Sequence, residues 1–207
     1  MYPEFLTRIA RAHLTEEDHR DMLPTGRTLS SEAKQYSPKI RQAAVGVHCY
    51  PNGNSDLNLL LIQRSEYEGK HSGQIAFPGG KREPSDPDLA FTARRECLEE
   101  LGIPMDQGQL IRSLTPVFIP VSHFEMHPFL FFHHAAPALL LDAREVVTCM
   151  ELSLFDLAHR VSVVHRELPL EQNSLFQRSV PGFQHGDYWI WGATALVLNQ
   201  LKRCIIE

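Results

Sequence analysis

Two adjacent glycines between an apolar segment and a carboxylate-rich helical pattern constrain the fold of this chain more than any other feature. The apolar segment covers residues 73–77, the turn contains Gly79 and Gly80, and the helical pattern covers residues 87–101. Gly102 follows the last helical residue, which is a typical signal of a helix C-terminus. The sequence therefore predicts a strand, a glycine turn and a helix in direct succession.

Further strands and helices surround this segment. The strand-like runs 42–49 and 57–63 flank a turn sequence, Pro51-Asn52-Gly53-Asn54, and predict a β-hairpin. Strands are also predicted at 110–118, 127–133, 145–154 and 187–191, and helices at 3–14, 154–160 and 192–206, whereas residues 21–38 indicate a linker or surface loop. Because strands outnumber helices and the helices are segregated, we predict an α+β fold with a mixed sheet and flanking helices.

The length of 207 residues suits one well-cored domain with terminal additions. We predict a single domain over residues 1–207. An N-terminal helix and linker would occupy about 1–40, the core about 41–165, and a C-terminal strand and helix about 166–207.

Charge and hydropathy exclude several classes of partner. The formal net charge is -5, so the chain has no general basic field for nucleic acid. The N-terminus lacks the apolar core of a signal peptide, and no run of eighteen apolar residues is present. We therefore expect a cytoplasmic protein with no nucleic-acid or membrane partner. Four scattered cysteines predict reduced, mostly buried thiols.

Three glutamates crowd one face of the predicted helix. At 100° per residue, Glu96, Glu99 and Glu100 lie beside an apolar stripe. Only Glu99 has a cation one turn earlier, Arg95, and like charges at this spacing repel. Carboxylate oxygens suit hard divalent cations. Mg²⁺ typically binds one or two protein carboxylates together with the phosphates of the substrate. The pattern predicts a metal site, and a solvated acidic helix face is the alternative.

The glycine turn strengthens the metal interpretation. Gly79 and Gly80 allow the backbone to approach a phosphate closely, although a lone glycine pair is more often only a turn. Here the pair stands immediately before the carboxylate helix. The two signals together predict a phosphate-binding loop next to a cation site.

These residues resemble the Nudix box: Gly, five residues, Glu, seven residues, then Arg-Glu-U-x-Glu-Glu-x-Gly-U, where U is apolar. Counting from Gly80, Asp86 takes the place of the first Glu, and eight residues separate it from Arg95. The second half of the box is matched at every fixed position by Arg95, Glu96, Cys97, Glu99, Glu100, Gly102 and Ile103.

The lead-in resembles that of the coenzyme A pyrophosphatase branch, Leu-Leu-Thr-x-Arg-Ser followed by Gly and Phe-Pro-Gly-Gly. The corresponding residues here are Leu60-Leu61-Ile62-Gln63-Arg64-Ser65, Gly73 and Phe77-Pro78-Gly79-Gly80, and Trp191-Gly192-Ala193-Thr194-Ala195 is also similar to the branch. Ile62 replaces Thr, and Gly69 stands where the branch has Arg. Lys70 or His71 would then supply the missing cation.

The resemblance implies the Nudix fold, an α/β/α sandwich, with Mg²⁺ or Mn²⁺ as the cofactor. Glu96 and Glu100 would bind the metal, and Glu99 would contribute to coordination or proton transfer. Arg95 would orient the carboxylates. Glu145, or Glu83 next to the box, would act as a base or an outer metal ligand. Candidate phosphate contacts are Gly79, Gly80, Arg64, Lys81 and Arg82, although most surface cations have no specific role.

For this branch the implied substrate is coenzyme A or a derivative, cleaved to 3',5'-ADP and 4'-phosphopantetheine. One alternative is a Nudix hydrolase of another nucleoside diphosphate derivative such as ADP-ribose, a dinucleotide or a nucleoside triphosphate. The second is a Nudix module that binds a nucleotide without cleaving it, which the three retained carboxylates disfavour. A homodimer stays open, because fold and family do not fix assembly or substrate.

Two further clusters have simpler interpretations. The histidines 123, 127, 133 and 134 invite a zinc hypothesis, but they lack the pattern of a metalloprotease helix, and solvated or hydrogen-bonded histidines are favoured. Tyr188, Trp189 and Trp191 are interpreted as core or interface residues, with base stacking as the alternative.

Overall fold

The computed structural model describes residues 2–65, 73–170 and 176–206. Its strands are β1 (Arg41–Pro51), β2 (Leu57–Arg64), β3 (Ile75–Ala76), β4 (Gly79–Lys81), β5 (Gln109–Ser113), β6 (Val117–Ile119), β7 (Phe124–Phe132), β8 (Val146–Ser153), β9 (Ser162–Pro169), β10 (Gln177–His185) and β11 (Tyr188–Trp191). Its α-helices are α1 (Tyr2–Arg11), α2 (Ser30–Lys34), α3 (Leu89–Leu101), α4 (Leu154–His159) and α5 (Gly192–Ile206), and a 3-10 helix covers Glu16–Met22.

The larger sheet is mixed and has β1 at its centre. β1 pairs in parallel with β7 and antiparallel with β2 and β4, and β3 and β8 pair with β2. One face is covered by α3, whose Ala93 packs in a buried cluster with Ala44 and Phe131. The other face packs in the main core with α5, which contributes Leu198 and Leu201. The predicted α+β class, with a mixed sheet between flanking helices, is confirmed.

The predicted hairpin is confirmed and is longer than expected, because β1 extends to Pro51 and β2 to Arg64. The predicted strand at 110–118 is divided into β5 and β6. Pro116 lies between the two and has no N–H to continue a ladder. Residues 21–38, predicted as a linker or loop, contain α2, none of whose residues is buried. An exposed helix of this kind has no apolar periodicity that a sequence reading could detect.

A second sheet is the main feature that the sequence did not predict. β9, β10 and β11 form it, with β10 in the centre. β9 is exposed along most of its length, so it lacks the alternation of apolar and polar residues that marks a half-buried strand. The expected boundary near residue 165 falls inside β9.

The predicted N-terminal helix is confirmed as α1, which packs on α5 through buried Phe5 and Ile9. All four cysteines are free, and Cys49 and Cys97 are the buried ones. No helix among the described residues has both the length and the apolar character needed to cross a bilayer.

Candidate active site

Helix α3 delivers its carboxylates to the glycine turn because both of its ends are fixed. Asp88 caps the N-terminus by accepting a hydrogen bond from the Phe91 N–H at 2.7 Å. Gly102 ends the helix in the left-handed conformation, with a φ of 69°. The second half of the helix then lies against β4, so that Glu96 and Glu100 face Gly79 and Gly80.

Glu100 is the most deeply buried of the three glutamates, with a side chain that is 1% exposed. One carboxylate oxygen accepts a hydrogen bond from the Gly79 N–H at 2.8 Å, and the other accepts one from Arg64 at 3.1 Å. Burial raises the pKa of Glu100 to about 7, against the opposing effect of Arg64. The site therefore holds a carboxylate whose negative charge is incompletely balanced by the protein.

Gly80 gives room to Glu96. A Cβ atom at Gly80 would lie only 2.4 Å from Oε2 of Glu96, so the carboxylate rests directly on the glycine backbone. Burial also raises the pKa of Glu96. Gly79 is needed for a different contact, because a Cβ there would lie 2.3 Å from the carbonyl oxygen of Ala44 in the neighbouring strand. The close approach of a phosphate to these glycines stays a prediction.

Arg95 connects the acidic residues of the box. Its Nη1 lies 2.9 Å from Glu96 and 3.0 Å from Glu99, and its Nε and Nη2 donate to Asp86 at 3.0 and 3.1 Å. The sequence places a cation one turn earlier for Glu99 alone, but in the structure all three glutamates contact a cation. Arg95 also contacts Glu96, and Arg64 reaches Glu100 from strand β2.

Asp86 anchors Arg95 in spite of the longer spacing. Besides the two bonds from Arg95, it accepts hydrogen bonds from the Glu83 N–H and from the Thr92 hydroxyl, each at 2.9 Å. The hydrogen bonds from Arg95 are the largest cause that lowers the pKa of Asp86 to about 2. The loop before the helix thus accommodates the additional residue of the box, and Asp86 still contacts Arg95.

An Asp86→Asn variant is expected to lose stability at neutral pH and to weaken the positioning of Glu96 and Glu99. Because the folded-state pKa of Asp86 lies below its ordinary value of 3.8, its stabilisation is present above about pH 4 and is lost as the pH falls towards 2. Urea unfolding should give a difference from the parent protein of about 1 to 2 kcal/mol at pH 7. This difference should shrink towards pH 2. A pH-independent difference would contradict the assignment of an ionised anchor.

The other predicted site residues lie around this centre. Glu145 is exposed immediately before β8, and its charge contributes to raising the pKa of both Glu96 and Glu100. Arg82 donates to the carbonyl oxygens of Asp86 and Pro87, at 3.1 and 3.3 Å, so it braces the loop. Lys81 and Glu83 are exposed. Gly69, Lys70 and His71 lie outside the described residues.

A buried histidine pair behind the site was not predicted. His48 is hydrogen-bonded through Nδ1 to His133 at 2.7 Å and through Nε2 to the Cys97 thiol at 3.0 Å. Burial lowers the pKa of His48 to about 3, so the ring is neutral. Because 85 residues separate the two histidines, no local pattern could have revealed the pair. The zinc alternative gains no support, since His123 bonds to Ser37 and His127 lies beside Glu125.

The donor set fits a hard divalent cation that is completed by other ligands. Among the described residues, no three His, Cys, Asp or Glu side chains are already gathered as a metal-binding group. Glu100 is nevertheless a buried carboxylate and Glu96 a half-buried one. Burial is the largest cause that raises the pKa of each, and the charge of Glu145 adds to both shifts, as does the charge of Glu96 for Glu100. Mg²⁺ typically takes one or two protein carboxylates and completes its shell with water and substrate phosphates.

Comparison with known proteins identifies the family. The NUDIX domain family model matches residues 40–168, which include β1, the glycine turn and α3. Two relatives with the name Uncharacterized Nudix hydrolase NudL, from Yersinia pestis and Yersinia pseudotuberculosis, are each 30% identical over 183 residues, 87% of this chain and 88% of theirs.

A crystal structure of a MutT/nudix family protein from Enterococcus faecalis matches with a TM-score of 0.53 at 15% identity. The match covers 94% of this chain and 75% of that one. At this identity the likeness concerns the fold, whereas the family model and the relatives concern the sequence. The chain belongs to the Nudix hydrolase family.

Proposed function

We propose that this protein is a divalent-metal-dependent pyrophosphohydrolase that cleaves the diphosphate of coenzyme A, or of its derivatives, into 3',5'-ADP and 4'-phosphopantetheine or its acyl form. Membership of the Nudix hydrolase family indicates pyrophosphohydrolase activity. The observation that carries the proposal is the contact of two carboxylates, half-buried Glu96 and buried Glu100, with the glycine turn.

Glu96 and Glu100 would hold Mg²⁺ or Mn²⁺. Nudix hydrolases generally use divalent cations, and such an ion, when bound, would stabilise the negative charge on the phosphoryl oxygens and lower the pKa of a coordinated water. The glycine turn positions both carboxylates. Gly80 leaves space for Glu96, and the Gly79 N–H fixes Glu100.

Arg95 and Asp86 would position these groups through contacts within the protein. Arg95 bonds to Asp86 through one edge of its guanidinium and to Glu96 and Glu99 through Nη1. The planar guanidinium makes several directed bonds at once, so it holds the carboxylates in one arrangement. Loss of either partner would let the acidic side chains spread apart.

Glu99 and Glu145 are the candidates for proton transfer, because both are accessible to water. The Glu99 side chain is 53% exposed and is oriented by Arg95. Glu145 is exposed immediately before β8. Either carboxylate can accept the proton that an attacking water releases, and Glu99 can alternatively act as a metal ligand.

Arg64, Lys81 and the glycine turn are the proposed phosphate contacts. The Arg64 guanidinium has five N–H groups, and the bond to Glu100 engages Nη1. Its remaining donors suit the oxygens of a diphosphate. Lys81 is exposed at the end of β4. Arg82 is the weakest member of this set, because its side chain already bonds to two loop carbonyls.

The choice of coenzyme A rests on the segments that resemble the branch. The first of them contains Arg64, which contacts the site carboxylate Glu100. The second contains Thr194, which donates to the carbonyl oxygen of Ile75 in β3 at 3.2 Å. Both segments therefore border the strand that leads into the glycine turn. A single-domain chain that acts in the cytoplasm, alone or as a homodimer, completes the proposal.

A substrate panel tests the choice of substrate. With Mg²⁺ or Mn²⁺ present, kcat/KM for coenzyme A is expected to exceed that for ADP-ribose, a dinucleotide and a nucleoside triphosphate by at least about tenfold, a difference of ~1.4 kcal/mol in transition-state binding. A preference for one of the other compounds would change the proposed substrate, but the protein would still be assigned as a hydrolase. Tight nucleotide binding without any metal-dependent turnover would instead support a binding module.

A further inference from the structure

Two tryptophans on the outer face of the smaller sheet form a stacked pair. In β11, Trp189 and Trp191 point to one side of the strand, and Ile190 between them is buried in the core. Their ring centroids are 5.3 Å apart and the ring planes differ by 16°. The guanidinium carbon of Arg166 lies 4.8 Å from the Trp189 ring centroid. Because Trp191 covers one face of Trp189, Arg166 takes the other.

Packing explains the position of Trp189. A Cβ atom at Gly182 would lie 2.2 Å from its Nε1, so the indole covers a glycine in the central strand. Its buried N–H has no hydrogen-bond partner among the described residues, which is unfavourable for stability. Arg166 is in turn fixed by a hydrogen bond to Gln184 at 3.1 Å. Trp191, Trp189 and Arg166 thus form a rigid column. Its arrangement is not the one that stability alone would favour, because the Trp189 N–H lacks a partner among the described residues.

Trp191 forms the open end of this column. It is half-buried, and in the part of the chain that the structure describes no second ring and no cation stacks on its other face. A flat indole held in place by a stacked neighbour is preorganised to bind another flat ring, because little side-chain freedom is lost on binding. Within the described ranges, Trp189 is the one ring that stacks on Trp191.

The column lies close enough to the carboxylate site to share one ligand. β11 lies beside β3, and Ile75 of β3 pairs with Gln63, the neighbour of Arg64 in β2. Arg64 contacts Glu100. β11 and β3 belong to different sheets, and a single strand, β3, stands between β11 and the strand that carries Arg64. This matches a ligand that has a diphosphate at one end and a ring system at the other.

We propose that the open face of Trp191 binds the adenine base of the nucleoside diphosphate substrate by stacking. The inference rests on the proposed function, because it assigns a subsite to the same substrate. Purine rings stack well on indoles, and Arg166 strengthens the column from its far end through the Trp189 ring. Trp191 is therefore a substrate-binding residue that determines preference for a base-bearing substrate.

Intrinsic fluorescence gives a direct test, because the chain contains two tryptophans and both lie in this column. The full-length protein is titrated with 3',5'-ADP, and with ribose 5-phosphate as the control without a base. Saturable quenching by 3',5'-ADP alone is expected, and it should persist in Trp189→Phe, where Trp191 is the emitter. Equal quenching by ribose 5-phosphate, or no quenching by either compound, would overturn the inference.

Variants of Trp191 give the second arm of the test. Trp191→Ala is expected to weaken 3',5'-ADP binding, measured by calorimetry, at least about tenfold, whereas Trp191→Phe should keep it within about threefold. Tyr36→Ala removes an aromatic ring that is 81% exposed elsewhere and should leave binding unchanged. Circular dichroism checks folding. Unchanged affinity in a folded Trp191→Ala variant would contradict the inference.

The titration separates this inference from the proposed function because it needs no turnover. If adenine-dependent quenching occurs and coenzyme A is not cleaved, the function fails and the subsite stands. If coenzyme A is cleaved but no adenine-dependent quenching occurs, the subsite fails alone. With coenzyme A as the substrate, Trp191→Ala should raise KM about tenfold and change kcat by less than about threefold.

Discussion

Glu100→Gln is expected to lower kcat by about 10³-fold or more while the protein stays folded. Glutamine has the shape of glutamate, and its amide oxygen can still accept the hydrogen bond from the Gly79 N–H. The neutral amide cannot balance a divalent cation, and its NH₂ group would face Arg64. Turnover is measured by chromatographic separation of the products at saturating substrate and metal.

Stability measurements on the same variant exclude a folding defect. Because burial raises the folded-state pKa of Glu100 to about 7, its ionised form is costly in the metal-free protein. The contribution of Glu100 to the stability of the parent protein is therefore most favourable below the ordinary pKa of 4.5 and is lost as the pH rises through about 7. Without metal at pH 8, Glu100→Gln should be at least as stable as the parent.

Glu32→Gln is the matched control, since Glu32 is exposed on α2 and distant in sequence from the box. It should keep parental activity. More than a tenth of parental kcat in Glu100→Gln, with Glu32→Gln unaffected, would contradict a central role for the Glu100 carboxylate.

Gly80→Ala is expected to lower kcat/KM by about 10²-fold with little change in melting temperature. The added Cβ would lie within 2.4 Å of the Glu96 carboxylate and push it out of place. Gly80 does not have a positive φ, so alanine suits its backbone conformation. The variant therefore changes the position of one site carboxylate and leaves the strand pairing intact. Steady-state kinetics and thermal unfolding are measured on the same preparation.

Gly79→Ala provides the contrast. Its Cβ would meet the backbone of Ala44 and Val45 in β1, at 2.3 and 2.6 Å, and its φ of 150° disfavours a side chain. We expect it to reduce the free energy of unfolding by about 2 kcal/mol or more. If Gly80→Ala behaved like Gly79→Ala, with lost stability and parental activity in the folded fraction, the assignment of Gly80 to Glu96 would be wrong.

The parts of the fold that follow from local rules were predictable. Helix α3 has a capping aspartate, a buried stripe and a terminal glycine, and each of these signals lies within a few residues of the structure it specifies. The β1–β2 hairpin has a turn sequence between two apolar runs. In both cases the physical cause is local, so the sequence displays it.

The pairings that give the site its electrostatics were not predictable, because their partners are distant in sequence. Arg64 and Glu100 are 36 residues apart, and they meet only because β2 pairs with β1, the strand on which α3 packs. The same limit hid the hydrogen bond between His48 and His133. Strand β9 escaped prediction for another reason, since its exposed residues leave no apolar pattern.

The most direct test of the account is product analysis after incubation with coenzyme A in the presence of Mg²⁺ or Mn²⁺. Parallel samples contain a chelator or the Glu100→Gln variant. We expect 3',5'-ADP and 4'-phosphopantetheine to form only with metal and with intact Glu100. Survival of coenzyme A together with every other diphosphate on the panel would contradict the assignment of a hydrolytic site to Glu96 and Glu100, as would equal cleavage by Glu100→Gln.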